Sequence, residues 1–201
     1  MEAYGPQHWW PADTSLEVMV GAVLTQNTTW RGVEKAITNL KGSGLLSVDK
    51  LYGVDTDKLA GLIRPSGYFN LKARRLKNLI ELVITSYGGN LEDMGRKQTN
   101  KLRKELLAVK GVGPETADSI LLYGFNRPIF VIDTYTRRVL SRHELIGHSA
   151  NYQKLQDLFM QHLPLNASMF NEYHALLVRV GKHHCKPRPS CRDCPLEPLM
   201  P

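Results

Sequence analysis

The fold of this chain is decided by the segment at positions 109–117, which reads Val109-Lys110-Gly111-Val112-Gly113-Pro114-Glu115-Thr116-Ala117. Apolar residues at helical spacing precede it, and Gly111 stands where the end of a helix commonly needs a positive φ. Gly113 permits close approach of the backbone to a ligand, and Pro114 suits the first position of a second helix that continues to Gly124. The segment therefore predicts two helices joined by a short hairpin.

The start of that second helix presents backbone N–H groups without intrahelical partners, and such groups bind phosphate. The predicted anion site comprises Lys110, Gly111, Val112, Gly113 and Thr116. It would hold phosphate without reading a base, so binding would be independent of sequence and sensitive to salt. An ordinary corner between helices is the alternative interpretation of the two glycines alone. The flanking Lys110, the proline and a downstream aspartate favour the phosphate site.

That aspartate is Asp133, which follows the apolar run Phe130-Val131-Ile132 about twenty residues after the hairpin. A carboxylate stabilises the cation that develops on a sugar when its glycosidic bond breaks, and it can orient or deprotonate an attacking water. Asp133 is therefore the candidate catalytic residue. The alternative is a structural role, because an aspartate before Thr134 can cap the N-terminus of a helix.

The charge of the chain favours a polyanionic partner. There are 26 Lys and Arg residues against 19 Asp and Glu, which gives a net charge of +7, and no amphipathic basic membrane anchor is evident. We therefore expect a monomer that binds double-stranded DNA and no membrane. The chain start lacks a signal-peptide pattern and no apolar run is long enough to span a bilayer, so we expect a cytoplasmic protein, associated with the nucleoid if the source is a prokaryote.

Apolar periodicity is helical along nearly the whole chain, and turn residues divide it into about ten short helices. No run of alternating strand pattern is found, so the predicted class is all-α. The end of the chain differs, because several prolines prevent regular helix there. These are Pro187, Pro189, Pro195, Pro198 and Pro201.

Five segments together resemble the helix-hairpin-helix DNA glycosylases of the endonuclease III superfamily. They are 21–27 (Gly-Ala-Val-Leu-Thr-Gln-Asn), 67–73 (Gly-Tyr-Phe-Asn-Leu-Lys-Ala), the hairpin, 131–134 (Val-Ile-Asp-Thr) and the C-terminal cysteines. The resemblance implies two helical lobes flanking a DNA-binding cleft, with the catalytic aspartate at their junction. On this basis we expect one lobe at 12–126 with the hairpin at 101–124, a second at 1–11 plus 127–184, and a metal-cluster loop at 185–201.

The resemblance also assigns a role to Gln26, which occupies the position of a side chain that fills the gap left by an extruded nucleotide. Members of the family that also cleave the strand carry a lysine nucleophile immediately before the Thr-Ala pair, where this chain has Glu115. A carboxylate cannot form the Schiff base that this cleavage requires. We therefore predict a monofunctional glycosylase that leaves an abasic site.

All three tryptophans, Trp9, Trp10 and Trp30, lie around the Gln26 segment. They resemble the 3-methyladenine DNA glycosylase branch of the superfamily, in which aromatic side chains at these positions enclose the flipped base. An N-alkylated purine is cationic, and indole faces attract a cation by roughly 0.5–2 kcal/mol. With Glu115 they form the predicted substrate pocket for alkylated purines. The alternative is that the tryptophans are core residues.

Two other functions compete with this one. The first is an endonuclease III-like glycosylase with lyase activity on oxidised pyrimidines, or a glycosylase for mismatched uracil or thymine. The second is a non-catalytic DNA-binding module that uses the hairpin alone.

The three cysteines, Cys185, Cys191 and Cys194, are the only ones in the chain and argue for metal ligation rather than a disulfide framework. Their spacing resembles the four-cysteine loop that holds a [4Fe–4S] cluster in the family. The fourth cysteine is replaced by Met200, whose thioether is a weak substitute for a thiolate. We expect a structural [4Fe–4S] cluster. The alternatives are a three-iron cluster, a zinc ion that recruits His183 or His184, or no metal.

Overall fold

The computed structural model describes residues 3–147 and 149–199. Within them every regular element is helical, so the predicted all-α class is confirmed. The α-helices are α1 (Ser15–Leu24), α2 (Trp30–Gly42), α3 (Val48–Gly53), α4 (Thr56–Leu62), α5 (Phe69–Tyr87), α6 (Leu91–Arg96), α7 (Thr99–Ala108), α8 (Pro114–Ser119), α9 (Thr134–Arg142), α10 (Tyr152–His162) and α11 (Ala167–His183). Short 3₁₀ turns form at Arg64–Ser66 and Glu197–Leu199. None of the described helices combines the length and apolarity that crossing a membrane demands.

The chain forms two compact units. The first is Ala12–Phe125, and the second combines the described residues of Met1–Pro11 with those of Asn126–Pro201.

Helix α1 forms the centre of the first unit. Its residues from Leu16 to Leu24 are all buried, which is the pattern of a helix enclosed on every side. Thr14 caps its N-terminus by accepting the Glu17 N–H at 3.2 Å. The long helix α5 buries one apolar face, including Leu76 and Leu79, and packs against α3 and α4.

The predicted hairpin joins α7 and α8. Gly111 has φ of +100° and Pro114 begins α8, as the sequence predicts. Helix α7 ends earlier than predicted, at Ala108, because Val109 already adopts extended backbone. Helix α8 continues as a π-helical turn, Ile120–Gly124, and ends at the predicted glycine.

A buried ion pair fastens the two hairpin helices together. The Arg103 guanidinium donates from Nε to Asp118 Oδ1 at 2.6 Å and from the second nitrogen to Oδ2 at 2.9 Å. Asp118 is completely buried, so this two-point pairing compensates the cost of removing its carboxylate from water.

The second unit has an aromatic centre. The Phe130 ring stacks on Phe159 with centroids 3.7 Å apart, and Phe170 meets it edge-on at 5.4 Å. Helices α9 and α11 pack closely because Gly181 lies against the Tyr135 ring, where a Cβ would stand 2.5 Å from Tyr135 Cδ1. This packing positions the first residue of the candidate site.

Candidate active site

Asp133 is the N-cap of α9. Its Oδ1 accepts the Thr136 N–H at 2.7 Å, so the capping role foreseen for this residue is confirmed. The side chain is 12% exposed, and Oδ2 lies 3.8 Å from His174 Nε2. Oδ1 therefore caps the helix, whereas Oδ2 makes no capping hydrogen bond.

His174, on α11, is a site residue that the sequence analysis missed. Burial lowers the pKa of its imidazole, and the negative charge of Asp133 opposes that shift. Because burial is the larger influence, the neutral imidazole is favoured at neutral pH. A lone histidine in a helix interior carries no sequence signal of this role, since most such residues simply pack in the core.

Gln26, just after α1, lies against the hairpin in the same unit. Its Nε2 donates to the Gly111 carbonyl and to Thr116 Oγ1, each at 3.0 Å, and its Oε1 accepts from the Arg75 guanidinium at 2.5 Å. The structure thus brings together three residues that the sequence analysis singled out. Arg75, on α5, joins them and was not foreseen.

The hairpin residues differ in what surrounds them. A Cβ on Gly111 would stand 2.3 Å from Arg75 Cγ, so this glycine permits a close approach of the arginine stem as well as a positive φ. Gly113 has φ of −95° and open space where a Cβ would be. Val112 is buried, Thr116 is buried, and Glu115 is exposed in the first turn of α8.

Lys110 follows the end of α7, and its carbonyl accepts from Asn78 Nδ2 at 2.9 Å. Its side chain is exposed. Two further exposed side chains were missed by the sequence analysis. Tyr68 is 70% exposed with φ of +46°, and Leu71 lies one helical turn before Arg75 on α5.

Lys72 is a buried cation that supports the Gln26 segment. Its Nζ donates to the Leu24 carbonyl at 2.8 Å and to the Ser66 carbonyl at 2.6 Å, and the residue is 1% exposed. Leu24 ends α1, so the lysine lies at the negative end of that helix dipole. Burial, with a smaller contribution from the charge of Arg75, lowers the pKa of Lys72 to about 8.

The lowered pKa predicts that alkaline conditions stabilise the fold through Lys72. The folded protein releases this proton near pH 8, whereas the unfolded chain keeps it until near pH 10.5, so folding is favoured as pH rises between these values. Relative to Lys72→Met, the wild type should gain about 2 kcal/mol of unfolding free energy between about pH 7.5 and 9.5. Urea unfolding at both pH values measures this difference. The exposed Lys104→Met is the control, and a Lys72→Met difference that does not vary with pH would contradict the prediction.

The tryptophans are divided between the two units. Trp9 and Trp10 have ring centroids 5.4 Å apart, and Lys182 Nζ lies 5.9 Å from the centre of the Trp9 ring. Trp9 also lines an open cavity of about 690 Å³ with Asn171, Glu172 and other residues of the second unit. In the first unit, Trp30 begins α2 and donates from Nε1 to Glu34 Oε1 at 2.8 Å. The enclosure of a base by these rings stays a prediction.

The three cysteines line one cavity of about 260 Å³ in the second unit. Cys185 and Cys194 are buried, and all three are free thiols. Two arginines of α9 hold the loop. Arg138 donates to the Cys185 carbonyl at 2.5 Å, and Arg142 donates to Cys185 Sγ at 3.3 Å and to the Pro187 carbonyl at 2.9 Å.

Across residues 3–147 and 149–199, no three His, Cys, Asp or Glu side chains converge closely enough to hold a single metal ion. A cluster binds each thiolate at a different iron atom, so its ligands stand further apart than those of one ion. Thiols are the donor type that an iron–sulfur cluster takes, and the cluster itself stays a prediction. Met200, the predicted replacement for the fourth cysteine, lies outside the described residues.

The sequence of this chain is similar to those of known DNA repair proteins. The family model described as "HhH-GPD superfamily base excision DNA repair protein" matches residues 20–165. A protein of Methanocaldococcus jannaschii, provisionally named a DNA repair glycosylase (MJ1434), is 49% identical over 98% of this chain and 90% of its own length. Endonuclease III of Sulfolobus acidocaldarius is 34% identical over 88% of this chain and 77% of its own.

Two solved structures have the same fold. The H. pylori 3-methyladenine DNA glycosylase MagIII, bound to 1,N6-ethenoadenine, superposes with a TM-score of 0.74 and 29% identity over 87% of each chain. A non-covalent endonuclease III–DNA complex superposes with a TM-score of 0.82 and 24% identity, over 98% of this chain and 87% of that one.

Proposed function

Because the chain belongs to the HhH-GPD superfamily of base excision DNA repair proteins, we propose that it is a monofunctional DNA glycosylase that hydrolyses the N-glycosidic bond of alkylated purines such as 3-methyladenine. The observation that carries this proposal is Glu115, a carboxylate in the exposed first turn of α8 where strand-cleaving relatives place a lysine nucleophile. Without an amine at position 115, the Schiff-base route through that position is closed. Water then becomes the nucleophile.

In the proposed reaction the bond between sugar C1′ and the base nitrogen breaks, and the electron pair leaves with the base. An N-alkylated purine is cationic, so it departs as a neutral molecule and needs no proton from an acid. The negative charge of Asp133 stabilises the sugar cation that remains. Water adds to C1′, and its proton passes to Asp133 or to solvent.

Recognition of the extruded base falls to the tryptophans. Trp9, Trp10 and Trp30 would stack on the cationic purine, and each indole face attracts the positive charge. Extrusion costs a few kcal/mol, and the cost is smaller where a lesion weakens pairing or stacking. This arrangement favours cationic lesions over neutral ones of similar shape.

The hairpin would hold the DNA backbone. Its N–H groups at Gly111 and Gly113, with Lys110 and Thr116, would bind phosphate without base contacts. The Val112 N–H instead donates to the Val109 carbonyl at 3.0 Å and holds the turn. Gln26 must leave its three hydrogen bonds to enter the gap in the duplex. The exposed Tyr68 and Leu71 are additional candidates for contact with DNA, because Leu71 lies on the α5 face of Arg75, which holds Gln26.

Cys185, Cys191 and Cys194 would hold an iron–sulfur cluster. When bound, the cluster would cross-link the loop and play a structural part. Arg138 and Arg142 already hold this loop to α9 by hydrogen bonds to its carbonyl groups.

A second candidate function is favoured by the 34% identity with Sulfolobus endonuclease III. It is a glycosylase with lyase activity on oxidised pyrimidines, in which a lysine other than residue 115 would attack the sugar. Lys110 is the amine nearest to that position in the hairpin.

A panel of duplexes separates these functions. The protein should release 3-methyladenine and 7-methylguanine, and it should release neutral 1,N6-ethenoadenine, thymine glycol and uracil at least about tenfold more slowly, since they offer no cation to the indoles. The DNA should be nicked only after alkali, and borohydride should trap no covalent adduct. Nicking without alkali together with an adduct lost in Lys110→Ala would establish the lyase instead. Tight binding without release of any base would establish a non-catalytic module.

A further inference from the structure

Helices α9 and α11 bring one imidazole to the carboxylate of Asp133. We propose that His174 is a positioning residue for Asp133, which holds the second carboxylate oxygen in place without neutralising its charge. The inference rests on the proposed function, in which Asp133 stabilises a sugar cation.

The two oxygens of Asp133 differ in their restraint. Oδ1 is held by the Thr136 N–H at 2.7 Å, which leaves the carboxylate free to rotate about that contact. His174 Nε2 lies 3.8 Å from Oδ2, slightly beyond hydrogen-bonding distance. Catalytic hydrogen bonds are often long in the free enzyme and shorten when the substrate is bound. A small movement of either side chain therefore completes a second restraint.

The surroundings of His174 favour a neutral donor. The Phe130 ring meets the imidazole edge-on, with centroids 6.3 Å apart at 82°, and burial disfavours the imidazolium. A neutral imidazole with its proton on Nε2 donates to Oδ2 and leaves the full negative charge on Asp133. A lysine or arginine in the same place would form an ion pair and weaken the attraction of the carboxylate for a sugar cation.

Other charged side chains of these two helices are engaged elsewhere. Arg137 donates to the Ala150 carbonyl, Arg138 to the Gly181 and Cys185 carbonyls, and Arg142 to the cysteine loop. On α11, Glu172 accepts from the Gln7 backbone, and Arg179 donates to the Gln7 side chain. Lys182, also on α11, lies 5.9 Å from the centre of the Trp9 ring, whereas the Asp133 carboxylate lies 3.8 Å from His174 Nε2.

The test measures the negative potential of Asp133 directly. Two duplexes carry abasic-site analogues of nearly the same shape, one a cationic pyrrolidine and the other a neutral tetrahydrofuran. The ratio of their dissociation constants reports how strongly the site prefers a sugar cation and does not depend on which base is excised. Wild type should bind the pyrrolidine duplex more tightly, and Asp133→Asn should abolish the preference.

His174→Leu should reduce this preference by about 10- to 100-fold, the cost typical of removing a group that orients a functional side chain. Affinity for the tetrahydrofuran duplex should be unchanged. His174→Gln keeps an N–H donor and should restore most of the preference. In the double variant Asp133→Asn/His174→Leu the preference should be no lower than in Asp133→Asn alone, because His174 acts through Asp133.

Two controls separate positioning from stability. Leu177→Ala removes another buried side chain from α11 and should lower the melting temperature without altering the ratio. His162→Gln changes an exposed histidine on α10 and should alter neither quantity.

The outcomes separate the two proposals. If Asp133→Asn keeps the preference for the cation, the catalytic role of Asp133 fails and the inference fails with it. If Asp133→Asn loses the preference while His174→Leu keeps it in full, the positioning role alone is overturned. Equal loss in His174→Gln and His174→Leu, with weaker tetrahydrofuran binding in both, would show a merely structural histidine.

Discussion

Asp133→Asn should lower the rate of base excision by about 10³-fold, the loss expected when one preorganised electrostatic group is removed from a developing charge. The asparagine Oδ1 can still accept the Thr136 N–H, so α9 keeps its N-cap and the melting temperature should change little. What the substitution removes is the negative charge. Single-turnover kinetics on methylated duplex DNA, with released base quantified by chromatography, measures the effect.

Asp55→Asn is a matched control for this substitution. Asp55 also caps a helix, α4, where its side chain accepts the Asp57 and Lys58 N–H groups. The same chemical change at that exposed cap should leave excision at the wild-type rate. Excision by Asp133→Asn at more than about a tenth of the wild-type rate would refute the catalytic assignment and leave Asp133 with its cap alone.

Gly111→Ala should have the second largest effect, on both the hairpin and DNA affinity. A left-handed alanine costs about 1–2 kcal/mol. The new Cβ would also stand 2.3 Å from Arg75 Cγ, so the arginine must move away from Gln26. With the N–H groups of the hairpin displaced, affinity for an abasic duplex should fall by about 10- to 100-fold, the equivalent of one or two lost hydrogen bonds to phosphate. Fluorescence anisotropy at several salt concentrations measures this, and the salt dependence should weaken.

The Gly113→Ala variant separates an effect on the stability of the fold from an effect on DNA affinity. Gly113 has ordinary φ and open space around a Cβ, so the alanine variant should be as stable as wild type or slightly more stable. DNA affinity should nevertheless fall by about tenfold, because the methyl group would stand between the backbone and the phosphate. Gly61→Ala, in α4 with similar open space, should leave DNA affinity unchanged and should be at least as stable as wild type. Full DNA affinity in Gly113→Ala would place the phosphate elsewhere.

Features of the backbone that depend on one residue could be predicted from the sequence. The positive φ of Gly111 and the helix start at Pro114 follow from one residue each, and both are confirmed. The end of α7 was misplaced, because the extended backbone of Val109 depends on how the hairpin packs and leaves no mark in the helical periodicity. The neighbours of Asp133 in the sequence were enough to make it the candidate catalytic residue. They did not predict that its Oδ2 lies beside His174.

Three of the residues that sequence reasoning missed share one property: each contacts a partner that is distant in the chain. Arg75 meets Gln26 across 49 positions, Lys72 meets Leu24 across 48, and His174 lies beside Asp133 although 41 residues separate them. A lysine in an amphipathic helix normally faces solvent, and only the structure shows Lys72 buried against two carbonyl groups.

By itself, the amino-acid sequence determined the helical class, the hairpin with its positive φ at Gly111 and helix start at Pro114, and the N-cap at Asp133. Helix periodicity, glycine conformation and residue type are properties of short segments. Tertiary structure alone decided that Gln26 lies docked against Arg75 and Thr116, that Lys72 has a lowered pKa, and that a buried imidazole stands beside Asp133. Burial and electrostatic coupling arise when distant segments pack together, so they depend on the folded arrangement of the chain and not on any one stretch of it.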